Sequence, residues 1–148
     1  MYIIVLILAI ILIAVSLSIE GIFYILDFPS LIIVLGISVL LFLVTGLWND
    51  FKRAVRLTLT KGNFYEVLEL KRSLLALQAL RIIVICTGVY GTVIGALGLA
   101  QSTYSPYDLL PSVAVVLISI FYSLSVILIT LPMTFKIKGL LLNKENDN

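Results

Sequence analysis

Between Arg81 and Asp108 the chain carries no charged residue, and between Asp108 and Lys136 it carries none again. Two more uncharged apolar stretches precede them, one ending at Ile19 and one running from Phe28 to Asn49. Each is close to or longer than the ~20 residues a helix needs to cross hydrocarbon. A bilayer offers no water to the backbone, so each segment has to satisfy its own N–H and C=O groups, which a helix does. Composition agrees. Residues are 61% hydrophobic and 12% charged, about half the charged share of a soluble domain. The expectation is an all-α membrane protein, a single domain over residues 1–148, with four transmembrane helices.

Taken in order, residues 2–19 form the first span, with apolar sequence continuing past Glu20 to Leu26. We read it as retained rather than as a cleaved signal, since no basic segment precedes it and no A-x-A site follows. Asp27-Phe28-Pro29-Ser30 is the first break, with Asp27 or Phe28 at the cap and Pro29 in the first helical turn. The second span runs from about Pro29 to Trp48, where the tryptophan suits a membrane–water boundary. The connection 49–81 is the one long polar segment. Lys61-Gly62-Asn63 reads there as a turn between two short helices. The second of these starts near Phe64 and continues into the third span, residues 82–101. Leu70, Leu74 and Leu77 share one of its sides, and Glu69 and Arg72 stand at i,i+3 spacing. Ser102 to Asp108 is a tight turn. The fourth span covers residues 109–133, and a polar tail, 134–148, follows, its last residues from Asn143 expected to be disordered.

Lysine and arginine occur only in the 49–81 connection and after residue 135. The other two connections hold Glu20, Asp27 and Asp108. Basic residues stay on the cytoplasmic side, so both termini and the 49–81 connection are expected in the cytoplasm of a multi-pass protein in the cytoplasmic (inner) membrane.

Two helical faces carry a pattern. Gly88, Gly91, Gly95 and Gly98 are three, four and three residues apart, which at about 100° per residue puts them on one face. Thr92 flanks it. In a membrane, a stripe of small residues lets a second backbone approach. On the fourth span Ser112, Ser119, Ser123 and Thr130 also fall near one line. The two faces are expected to meet other helices, either as interhelical contacts or as the wall of a narrow polar path. The ion-path candidates are Thr92, Ser119 and Ser123.

Other chemistries are excluded or unsupported. There is no histidine, which removes Ser-His-Asp and Cys-His arrangements. The lone Cys86 has no intrachain disulfide partner and reads as a small buried apolar residue. No metal-ligand cluster, phosphate loop or nucleophile–base pair is visible. No enzymatic activity, cofactor, metal or nucleic-acid partner is expected. None of the spans has an ionisable side chain in its interior, and ion-coupled transport normally needs one. A partner would have to bring it; the alternative is a non-conducting membrane scaffold or assembly subunit.

Leu26-Asp-Phe-Pro-Ser-Leu-Ile-Ile-Val-Leu-Gly36 and Asn49-Asp-Phe-Lys-Arg-Ala54 resemble the first half of MotA-type flagellar stator A subunits. Gly88-Val-Tyr-Gly-Thr-Val-Ile-Gly95 is similar to the third-span signature of the MotA/TolQ/ExbB proton channel superfamily. Ser119-Ile-Phe-Tyr-Ser123 with Leu131-Pro132 is similar to the end of its fourth span. The resemblance implies a ring of five copies around two helices of a single-span MotB/ExbD-like partner, whose membrane aspartate passes H+ or Na+. Thr92 then matches the ion-path threonine, Ser119 falls near the fourth-span threonine, and Pro29 and Pro132 are structural or hinge positions. The chain departs from the family in two places. Ile85 stands where a proline is usual, and the 49–81 connection is far shorter than the flagellar proteins' cytoplasmic loop. No torque-generating charge is therefore carried over.

Overall fold

The computed structural model describes residues 27–59, 65–101 and 109–146, with side chains in the last segment from residue 113 onward. The expected first span, the Lys61-Gly62-Asn63 turn and the 102–108 turn lie outside the described residues. Among the described residues all regular structure is helical. We number the helices α1 (Phe28–Val44), α2 (Trp48–Leu59), α3 (Val67–Gln101) and α4 (Leu109–Asn146). Helices α3 and α4 are each long and apolar enough to cross a membrane; α1 and α2 together make a third, bent candidate.

The start of α1 follows from its sequence. Asp27 is the N-cap, and its Oδ2 accepts from the Ser30 N–H at 3.3 Å. Pro29 lies in the first turn, where a missing N–H leaves no bond unmade. A π-helical turn over Ile32–Gly36 then widens the helix. Val34, Ser38 and Phe42 are the buried positions of α1, spaced one turn apart on a single face.

The second span was expected to reach Trp48, but α1 stops at Val44. Gly46 has φ +70°, a left-handed conformation that glycine adopts without steric penalty. The Thr45 hydroxyl donates to the Phe42 carbonyl at 2.6 Å, and the Gly46 N–H to that of Leu43 at 3.1 Å. With those carbonyls satisfied the chain turns by 110° into α2. Trp48 therefore opens α2, packed edge-on against Phe42 and tilted against Phe51.

The 49–81 connection is mostly helix. Ala54, Leu57 and Thr58 of α2 are buried against the lower halves of α3 and α4, where Leu70, Leu77, Met133 and Ile137 complete a core with Leu74 at its edge. This is the leucine side expected from spacing. The Glu69–Arg72 pair does not form: Glu69 Oε1 lies 3.5 Å from Arg53, which also binds Asp50 at 2.8 Å. Two lysines of α4 tie the lower layer together. Lys136 Nζ donates to the Thr58 carbonyl at 2.7 Å, a cation at the carboxyl end of α2, and Lys144 Nζ donates to the Tyr65 carbonyl.

The tail is corrected as well. Helix α4 continues through Pro132 and on to Asn146, so residues 143–146 are ordered helix. The reason is cross-helix partnering, since Lys144 reaches Tyr65 and Glu145 lies 2.9 Å from Lys71.

Candidate functional site: the small-residue seam and its cleft

Above the leucine core, α3 and α4 meet through the smallest side chains available. Gly88 faces Ser123, and a Cβ built there would overlap Ser123 Oγ, lying 2.7 Å from its Cβ and 3.2 Å from the Ser119 carbonyl oxygen. Gly91 faces Ser119, with an added Cβ 3.0 Å from Oγ and 3.2 Å from Cβ; the Ile33 side chain of α1 closes in at 3.7 Å. At Gly95 the neighbour is Val116, 3.2 Å from Cγ2 and 3.5 Å from Cα. The contact loosens from Gly88 to Gly95. Contact is closest at Gly88 because only glycine there leaves room for the neighbouring backbone.

The glycine face and the hydroxyl face meet each other, and Gly88, Gly91 and Gly95 of α3 find that contact within one chain. The helix that faces Gly88, Gly91 and Gly95 is this protein's own α4. Ser119 and Ser123 are each 4% exposed, as is Thr130. Both serines, named as ion-path candidates, are packing elements of the pair. The Ser123 hydroxyl donates to the Ser119 carbonyl at 3.1 Å, and Thr130 and Thr134 likewise donate to carbonyls one turn back on α4. Such back-bonding satisfies the proton without a second helix. Thr134, also buried, extends the hydroxyl line beyond the residues picked from spacing.

A second polar contact was not foreseen. Ser38 of α1 and Thr87 of α3 approach to 2.7 Å, both buried. Thr87 gives its proton to the Val84 carbonyl at 3.0 Å, so Ser38 is the donor to Thr87 Oγ1. Ser38 and Thr45 are the only hydroxyl residues between Leu31 and Phe51, and a hydroxyl in mid-run was the available signal.

The remaining candidate, Thr92, is half-buried. Its hydroxyl donates to the Gly88 carbonyl at 2.9 Å. Beside it Val89 and Val93 are exposed, so Thr92 stands at the border between the seam and the uncovered face of α3. Cys86 also lies on an exposed face, contrary to the buried position expected of it.

Where α3 and α4 part, a cleft of about 490 Å³ opens against the start of α1. Gly91, Gly95, Gly98, Val116 and Ser119 form one side, and Asp27, Ser30 and Ile33 the other. Asp27 and Ser30 were legible as a cap, but their place opposite the glycines depends on how α1 packs. Among the described residues the cleft offers one carboxylate and hydroxyl oxygens and no nucleophile paired with a base. Among the described residues no group of three or more His, Cys, Asp or Glu side chains is placed to hold a metal ion.

No protein-family model matches the chain, and neither a curated protein nor a solved structure matches it. What stands without them is an all-helical fold with two long apolar helices, as in a membrane protein.

Proposed function

We propose that this protein is the ring-forming subunit of an ion-driven, stator-like membrane complex, in which several copies surround partner helices that carry the ion-binding aspartate. The observation that supports this reading is the position of Thr92. Its proton is committed to the Gly88 carbonyl, so its oxygen offers lone pairs and no proton to anything laid on the uncovered face of α3. A lone-pair donor of that kind suits a partly dehydrated Na+ or the O–H of a protonated carboxylic acid. The exposed valines on either side give an approaching apolar helix its contact.

In this proposal the chain spans the inner membrane four times, residues 2–19 included, with both termini and the 49–81 segment in the cytoplasm. The charge-free spans leave the titrating group to a single-span partner. Purified with such a partner and reconstituted into vesicles, Thr92→Val lowers H+ or Na+ flux about tenfold with the mass of the complex unchanged, while Thr92→Ser retains it. Unchanged flux in Thr92→Val removes this residue from the path. A native mass corresponding to one or two copies overturns the ring.

One observation favours the second reading, a non-conducting scaffold. Ser119 and Ser123, which would line a path in the first reading, are enclosed by packing on Gly91 and Gly88. On that reading assembly persists and no pairing conducts.

A further inference from the structure

We infer that α2 is a surface-lying helix that recruits anionic phospholipid through an outward stripe of Trp48, Lys52 and Arg56. The inference rests on α1, α3 and α4 crossing a membrane and is independent of whether the complex moves ions.

Three observations carry it. First, α2 leaves α1 at 110°, close to perpendicular. A helix running across the foot of a membrane span lies along the membrane surface. Second, its two faces are sharply divided. Ala54, Leu57 and Thr58 are buried against α3 and α4, whereas Trp48, Lys52 and Arg56, one turn apart, are all exposed. Lys52 and Arg56 lie opposite the buried side of α2, and Trp48 keeps one edge on Phe42 with the rest of its ring uncovered; in a membrane this side of α2 meets lipid. Third, the charges on it have no compensating carboxylate among the described residues. Asp50 and Glu69 are both engaged by Arg53. Among the described residues no carboxylate forms an ion pair with Lys52 or Arg56. Lys52 Nζ instead sits 5.7 Å from the Trp48 ring centroid, a cation held beside an aromatic of the kind enriched at the headgroup level.

An indole with two cations at four-residue spacing, neither in an ion pair among the described residues, matches a phosphodiester headgroup layer: the ring lodges at the boundary and the cations pair with phosphate. Choline or ethanolamine headgroups neutralise their own phosphate, so selectivity falls to lipids with net negative charge. Each basic residue near an anionic surface contributes roughly fivefold to association at low salt.

Trp48 is the sole tryptophan of the chain and therefore a built-in probe. The full-length protein is reconstituted into phosphatidylcholine vesicles containing an equal mole fraction of brominated phosphatidylglycerol or brominated phosphatidylcholine. Brominated phosphatidylglycerol is expected to quench Trp48 several-fold more efficiently. In K52Q/R56Q the two brominated lipids quench equally, and high salt removes the preference in the unaltered protein, a control that does not depend on folding of the variant. Equal quenching by both lipids in the unaltered protein overturns the proposal, as does a preference that survives the double substitution. Trp48 unquenched by either lipid also overturns it, since the stripe is then covered by protein.

Discussion

Helices α3 and α4 touch along two regions built on opposite principles. In the lower one, Leu70 and Leu77 meet Met133 and Ile137, with α2 adding Ala54 and Leu57. In the upper one, Gly88 and Gly91 meet Ser123 and Ser119. The lower region uses large side chains because it lies at the level of the charged segments, where burying apolar area away from water stabilises the contact. Among lipid tails that driving force is absent, and helices gain from close packing and short polar contacts instead. The change from leucine to glycine along one helix matches the change from its charge-bearing stretch, which ends at Arg81, to its charge-free one.

That contrast can be broken from the lower side first. Leu77 is fully buried, and Leu77→Ala leaves a cavity, with an expected loss of about 2–5 kcal/mol. Thermal unfolding in detergent, followed by helix circular dichroism, would show it; a loss below 1 kcal/mol would mean that the lower region does not rely on volume. From the upper side, Gly88→Ala forces an atom into the Ser123 side chain and toward the Ser119 carbonyl. Overpacking of this kind costs about 1–3 kcal/mol, and truncating the facing residue in Gly88→Ala/Ser123→Gly recovers part of it. An unaffected Gly88→Ala protein would show that the seam has slack. The smallest effect sharpens the comparison: Gly95→Ala puts its Cβ 3.2 Å from one Val116 methyl, so its unfolding midpoint is expected to fall less than that of Gly88→Ala. A loss as large as that of Gly88→Ala would show that the helices are as tightly apposed at Gly95 as at Gly88.

Much of this arrangement is readable from residue order, because periodicity reports which residues share a face. It gave the leucine side of α3, the glycine stripe, the hydroxyl line of α4 and the cap at Asp27. Periodicity does not report what stands opposite. The glycine stripe looked equally suited to a foreign helix, and only the packing of α3 on α4 assigns most of it to the chain itself. The misplaced end of α1 has a local cause, since Thr45-Gly46 sits in an unbroken apolar run and the left-handed turn leaves hydropathy unchanged. Residues 143–146 looked like a solvated tail because the partners of Lys144 and Glu145, Tyr65 and Lys71, are more than seventy positions away. In the cleft, Asp27 joins Ser119 for the same reason: proximity between distant segments leaves no trace in spacing.

Helix α3 has 35 residues without interruption, a length of about 52 Å, and its tightest lateral contact is at Gly88. That point divides it unequally, with about 20 Å toward Gln101 and about 32 Å toward Val67. The two arms are fastened differently. Leu70 and Leu77 sit in the core, and Glu69 and Lys71 are paired with Arg53 and Glu145, so the long arm is clamped to its neighbours while the short arm borders the cleft.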